Sequence, residues 1–168
     1  MVTMPAISAD TVPGEYQVKA VFLFNFAQFV EWPAEAFAAP AAPFTICVLG
    51  DDPFGAELDA AIKGESVQGH PLTVQRYRKP EEAGPCQIVF IGTSELPRLD
   101  EIVSGLSGRS ILTVSDIDRA AERGAIIQFA HERNRLRLRI NVEKARAAGL
   151  TLSSKLLRPA EIVGEQPG

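Results

Sequence analysis

Histidine is scarce in this chain of 168 residues: His70 and His131 are the only two. His70 sits in Gln-Gly-His-Pro, which reads as a turn, and His131 falls near a hairpin tip. No Gly-x-Ser-x-Gly elbow is present to lift a serine over a sheet. Nucleophile–base catalysis therefore has no evident seat, and no enzymatic activity is expected. Cysteine is equally scarce. Cys47 and Cys86 are too few for a disulfide scaffold and lack the close spacing of a zinc site. His131-Glu-Arg-Asn-Arg135 is not His-Glu-x-x-His, and Gly50 and Gly55 lack the endings of a phosphate loop. No metal or cofactor is expected. The densest apolar segment is interrupted by Lys19, Asn25, Gln28 and Glu31, which excludes a membrane span there. A net charge of −4 gives no argument for nucleic acid as a partner. Met1–Pro13 has neither a basic start nor an apolar block, so it does not read as a signal peptide. The chain is either cytoplasmic or a mature form whose signal has been removed.

Apolar residues make up 46% of the chain and charged residues 23%, the balance of an ordinary globular protein. Residues 1–14, with Pro5, Pro13 and Gly14 and no periodicity, read as a flexible leader. Residues 15–163 read as one domain and 164–168 as a frayed tail. Glu15 to Trp32 is expected to be a single helix, ended by Trp32-Pro33. Gln17, Asn25, Gln28 and Glu31 share one narrow stripe of it. The rest of the circumference is apolar, with Lys19 the exception, so this helix must be covered on several sides or shared with a partner.

Phe44–Leu49, Cys86–Ile91 and Ile111–Val114 read as buried strands, central and parallel. Pro71–Tyr77 alternates and reads as a half-buried strand nearer an edge. Between them are expected a helix capped by Asp52 with Pro53 in first position, a helix from Thr93 to about Leu106, and a short helix capped by Ser115 or Asp116 running to about Arg123. A hairpin turning at Arg133-Asn134 pairs 131/136, 129/138 and 127/140 on an apolar side, and 132/135, 130/137 and 128/139 on a polar one. A slip of one residue would carry arginines into the core. Val142–Ala148 is a short helix, and Ser153 or Ser154 caps a last helical turn. The alternation argues a single-domain α/β sandwich: a mixed, mostly parallel sheet with a C-terminal antiparallel hairpin and helices on both faces.

Three groups of residues carry chemistry. Asp51, Asp52, Thr93, Ser94, Ser115 and Asp116 fall at the carboxyl ends of strands, where α/β folds bind ligands; the competing reading makes them caps and solvated turns. Arg135, Arg137 and Arg139 share one side of a strand, near Lys144 and Arg146, as an anion or partner surface or as a solvated edge. Cys47 and Cys86 either bridge neighbouring strands or are two small buried hydrophobes.

Six stretches in order resemble the YfiR family of small bacterial periplasmic proteins. They are Glu15-Tyr-Gln-Val-Lys-Ala with Phe29-Val-Glu-Trp-Pro33; Ile46-Cys-Val-Leu-Gly-Asp-Asp-Pro-Phe-Gly55; Cys86 with the Ile-Val-Phe-Ile strand; Ile111-Leu-Thr-Val-Ser-Asp116; Ile140-Asn-Val with Ala147-Ala-Gly-Leu; and Leu152-Ser-Ser-Lys-Leu-Leu157. The resemblance implies a mature periplasmic homodimer that binds and inhibits an inner-membrane diguanylate cyclase, restraining cyclic-di-GMP signalling and biofilm formation. It also implies a Cys47–Cys86 disulfide. A second cysteine pair of the type member has no counterpart between Asp116 and Ile127. The first helix with Trp32, and the arginine side of the hairpin, are the expected partner contacts. The alternative is a periplasmic small-molecule sensor acting on a membrane sensor kinase, with its ligand at the strand ends.

Overall fold

The computed structural model describes residues 14–83 and 86–163. The expected leader before Gly14, the expected tail at 164–168, and Gly84 and Pro85 lie outside the described residues. In chain order the elements are α1 (Glu15–Phe29), β1 (Val30–Glu31), β2 (Phe44–Leu49), α2 (Ala56–Ile62), β3 (Ser66–Val67), β4 (His70–Tyr77), β5 (Ile88–Ile91), α3 (Leu99–Leu106), β6 (Leu112–Ser115), β7 (Ile127–Glu132), β8 (Arg135–Asn141), α4 (Val142–Ala147), β9 (Thr151–Leu152), α5 (Ser154–Leu157) and β10 (Glu161–Val163).

Eight strands form one sheet in the order β10-β8-β7-β6-β5-β2-β4-β3, and β1 and β9 form a separate antiparallel pair. The links from β4 through β2, β5 and β6 to β7 are parallel, and the β7–β8 hairpin is antiparallel. The apolar runs expected to be central are β2, β5 and β6, side by side. Period-2 alternation sorts their side chains into two layers. Ile46, Val48, Ile88, Phe90 and Val114 face Leu23 and Phe26 of α1 and Leu58 of α2. Leu49, Val89 and Ile91 face Leu99, Ile102 and Leu106 of α3. The hairpin register is the expected one, from Ile127 opposite Ile140 to Glu132 opposite Arg135. Its two turn residues, Arg133 and Asn134, both have positive φ, 52° and 66°, the backbone of a two-residue hairpin turn.

Strands β4, β5 and β6 start within two residues of the expected positions, and the larger differences are in the helices. Helix α1 ends at Phe29 rather than Trp32, because Val30 pairs with Leu152 and the Phe29 carbonyl accepts from the Ser153 amide at 2.9 Å. Helix α2 starts at Ala56, because the Asp52 carboxylate accepts from the Phe54 amide in a local turn instead of capping a helix at Pro53. The helix expected from Thr93 opens with a 3₁₀ segment, Thr93–Arg98, that contains Pro97. Residues 118–124 are turns and not a helix. There the Gln128 side chain accepts from the Ala121 amide and Asn141 donates to the Ala121 carbonyl, so the polar row of the hairpin captures this backbone. Strand β10, too short to show in the sequence, covers the outer edge of β8 in parallel register.

Cys47 of β2 and Cys86, just before β5, form a disulfide with Cα atoms 6.0 Å apart, inside the layer under α3. The loop it closes spans 39 residues. On the chain-entropy estimate, reduction should lower the unfolding free energy by about 4 kcal/mol. Urea unfolding with and without reductant, and of the Cys47→Ala/Cys86→Ala variant, measures this; equal midpoints would remove the bond from the stability of the fold.

Candidate functional site

The sheet reverses its direction of winding at β2, whose neighbours β4 and β5 lie on opposite sides. Ligands of open α/β sheets bind at such a switch point, beyond the carboxyl ends of the strands. Asp51, Asp52, Thr93 and Ser94 sit there, and Ser115 and Asp116 follow the next strand. At the switch point the two strand ends are drawn together. The Asp51 amide donates to Ser94 Oγ at 3.0 Å, and the Gly92 amide donates to the Leu49 carbonyl at 3.1 Å. A Cβ on Gly92 would lie 2.9 Å from the Asp51 carbonyl oxygen, and one on Gly50, whose φ is +94°, would lie 2.7 Å from Ser94 Oγ. Only glycine allows the two strand ends to approach this closely.

The carboxylates on either side are engaged with cations of the fold. Asp51 pairs with Arg78 at 2.6 Å. Asp52 pairs with Arg76 at 2.7 Å, and Arg76 reaches on to Asp59 and the Gly55 carbonyl, tying α2 to β4. Ser115 is buried, donating to the Ile91 carbonyl and accepting from the Ile117 amide. Thr93 is exposed.

Asp116 belongs to a different assembly. Lys19 of α1 is 1% exposed, the largest charged side chain among the fully buried residues. Its Nζ donates to Glu15 Oε2 at 2.7 Å and to Asp116 Oδ2 at 3.0 Å. It lies 4.4 Å from the Tyr16 ring centroid and 5.7 Å from that of Phe129. The Tyr16 hydroxyl donates to the same Asp116 Oδ2. Asp116 Oδ1 is buried without a hydrogen-bond partner. Two donors thus converge on one oxygen, and the other relies on the charge of Lys19. His131 brings its Nε2 to 3.3 Å from Glu15 Oε2. Burial, then the bond to Asp116 and the charges of Asp116 and Glu15, push the Tyr16 hydroxyl far above the ordinary tyrosine value. Sequence reading missed this cluster. Its one signal was a lysine on an otherwise apolar circumference, and its partner lies 97 residues away.

The arginine row is divided by its neighbours. Arg139 lies between Glu132 at 3.2 Å and Glu161 of β10 at 3.1 Å. Arg137 approaches Glu132 only at 3.9 Å. Arg135 is exposed and has no ion pair among the described residues. Trp32 turns inward, packing edge-on against Phe44 at 4.8 Å and donating its Nε1 to the Gln87 carbonyl. His70 stacks on Phe37 at 3.8 Å and bonds the Ala42 carbonyl through Nδ1. The outer face of α1 carries Val18 and Val21, 48% and 47% exposed.

Among the described residues no group of three or more His, Cys, Asp or Glu could hold a metal ion, and no helix is long and apolar enough to cross a membrane. A family model described as YfiR/HmsC-like matches residues 16–161. No curated protein matches the chain.

Lys19→Met should destabilise the protein by about 3–5 kcal/mol, because it strands a buried carboxylate. Adding Asp116→Asn should recover part of the loss; additive penalties in chemical denaturation would mean the two groups are uncoupled. Because the folded-state pKa of Tyr16 is raised, the stability conferred by its neutral form is complete below about pH 10 and is lost as the pH climbs beyond it. Denaturant midpoints measured across that range should fall more steeply for the native sequence than for Tyr16→Phe.

Proposed function

The chain belongs to the YfiR/HmsC-like family, and from that premise we propose that it is a periplasmic regulator that binds the periplasmic region of an inner-membrane diguanylate cyclase and holds the enzyme inactive. Relief of that hold raises cyclic-di-GMP and favours biofilm growth. The observation that carries the reading is the extent of the match, from the first turn of α1 to the start of β10, which is nearly all of the described domain.

The arrangement of charges is in keeping with a docking protein. Carboxylates at the strand ends are tied to Arg76, Arg78 and Lys19, so they brace helices and loops against the sheet. Two surfaces suit a partner. One is the outer face of α1, where Val18 and Val21 are exposed between Gln17 and Gln28. The other is the hairpin tip, where Arg133 and Arg135 are exposed and without ion pairs among the described residues. The first offers apolar area and the second offers guanidinium forks for carboxylates. We place the cyclase on the α1 face and assign the arginines to orientation. Trp32 acts from beneath, holding the segment after β1 against β2. We further propose, on the family resemblance alone, that the protein acts as a homodimer.

Purified protein should capture the periplasmic region of a membrane diguanylate cyclase encoded beside its gene and lower cyclic-di-GMP when both are expressed. Val18→Glu/Val21→Glu should weaken capture at least tenfold, with stability changed by no more than about 0.5 kcal/mol, since both side chains are solvent-facing. Light scattering gives the oligomeric state in the same preparation. Failure of every such periplasmic region to bind the native protein would overturn the reading.

A further inference from the structure

Charge is unevenly shared along this chain. Residues 14–124 hold nine Lys or Arg against sixteen Asp or Glu, whereas residues 125–163 hold eight against three. The overall charge of −4 therefore conceals a strongly basic segment. The fold keeps that segment together. Residues 125–163 supply β7, β8 and β10, side by side at one end of the sheet, and the short helices α4 and α5 that lie between β8 and β10 in the chain. At the opposite end stand β4 and β3, and residues 51–83 around them carry seven acids against four bases. The two ends of the sheet are thus oppositely charged.

Few of the cations at the basic end are neutralised. Arg139 takes up Glu132 at 3.2 Å and Glu161 at 3.1 Å, two of the three acids of the segment. Arg137 has Glu132 only at 3.9 Å. Arg133, Arg135 and Arg158 are exposed and have no ion pair among the described residues. Strand β10 pairs only with residues 139–141, so the first half of β8, with Arg135 and Arg137, is itself the outer edge of the sheet. Charge on an edge guards it against pairing with another strand. A surplus of one sign also sets up a field that selects anionic partners. On β10, Ile162 is 52% exposed, more than any other large apolar side chain among the described residues. Unpaired guanidinium groups with an apolar side chain on the same edge are the composition that suits a lipid interface. The cations are spread over a turn, a strand and the end of a helix, which fits an anionic plane better than a single anionic group.

We propose that this end of the sheet rests on an anionic phospholipid surface, with Arg133, Arg135, Arg137 and Arg158 among the headgroup phosphates and Ile162 dipping between them. The proposal deepens the regulatory reading and rests on its periplasmic setting, where a membrane-bound cyclase brings the bilayer within reach. The outer face of α1 stays free in this pose. Helix α1 packs on a face of the sheet through Leu23 and Phe26, so its outer side looks along the sheet normal, while the β8–β10 edge looks within the sheet plane. The same field turns the acidic β4–β3 end away from the lipid. The arginines then orient the protein on the membrane, with α1 presented sideways to the cyclase.

The intact chain should co-sediment at low salt with vesicles of equimolar phosphatidylglycerol and phosphatidylcholine, and not with phosphatidylcholine alone. Binding should fall steeply as sodium chloride is raised. Arg135→Glu/Arg158→Glu should weaken it at least tenfold, since each cation near an anionic surface is worth about fivefold in affinity. Lys63→Glu/Lys79→Glu makes the same change in net charge on two exposed lysines of the acidic end, and should weaken binding by less than about threefold. Ile162→Ser should weaken it by at least about threefold at every salt concentration; no effect would remove the isoleucine from the contact. Absence of co-sedimentation with the anionic vesicles, equal binding to both kinds of vesicle, or equal losses from the two double variants would overturn the proposal. Salt-sensitive self-association in light scattering, in place of vesicle binding, would overturn it too and assign the basic end to the acidic end of a second copy. None of these results bears on capture of the soluble cyclase region, which is read without lipid.

Discussion

A buried ammonium fixes how the first helix meets the sheet. Lys19 has no route to solvent, so it must find anions inside, and it finds one within its own helix and one beyond the end of β6. Breaking either contact leaves a charge in a medium of low dielectric, which is far more costly than the pair is stabilising. The constraint is therefore one of specificity. An apolar helix could slide or rotate against a greasy sheet at small cost; a helix carrying Lys19 has one register in which Glu15, Tyr16 and Asp116 all meet it. Two of the stretches that carry the family resemblance, Glu15 to Ala20 and Ile111 to Asp116, touch at this point.

The same logic of using polar groups internally recurs around the sheet. Gln128 and Asn141, on the polar side of the hairpin, hold both backbone groups of Ala121 and shape the turn between β6 and β7. Gln87 accepts from the Thr45 amide and donates to the Ala36 carbonyl, fixing the connector after α1 to the entry of β2. Arg76 links β4 to α2. Each device secures a loop that has little apolar area of its own. The disulfide does the corresponding work on the α3 face, between β2 and the start of β5. A regulatory protein working by contact needs such a frame, because a docking surface is only as specific as the elements that present it.

Two glycines set the geometry of the switch point. With Gly50 and Gly92 pressed against Ser94 and Asp51, the ends of β2 and β5 are in close contact at the switch point. Open surface clefts lie elsewhere, one between α3, the turn at 122–124 and α4, and another between α3 and the segment at 79–81. Sequence reading looked to the strand ends because that rule depends only on strand order and polar residues after strands. It could not register that two glycines bring the ends into contact.

Local patterns alone determined a good part of this protein. The hairpin register follows from a strict alternation with arginine on one side, since any slip would bury a guanidinium. The three central strands follow from β-branched apolar runs closed by turn residues, and helix α3 from the spacing of Leu99, Ile102, Val103 and Leu106. What only the tertiary structure decided are the places where a distant group outbid a local preference. Helix α1 stops at Phe29 because β9 takes Val30; the segment after Ser115 stays a turn because Gln128 and Asn141 seize it; Lys19 is buried because Asp116, 97 residues on, awaits it. Propensities and periodicities act over a few residues, whereas hydrogen bonds and ion pairs of this kind join residues that only the folded chain makes neighbours.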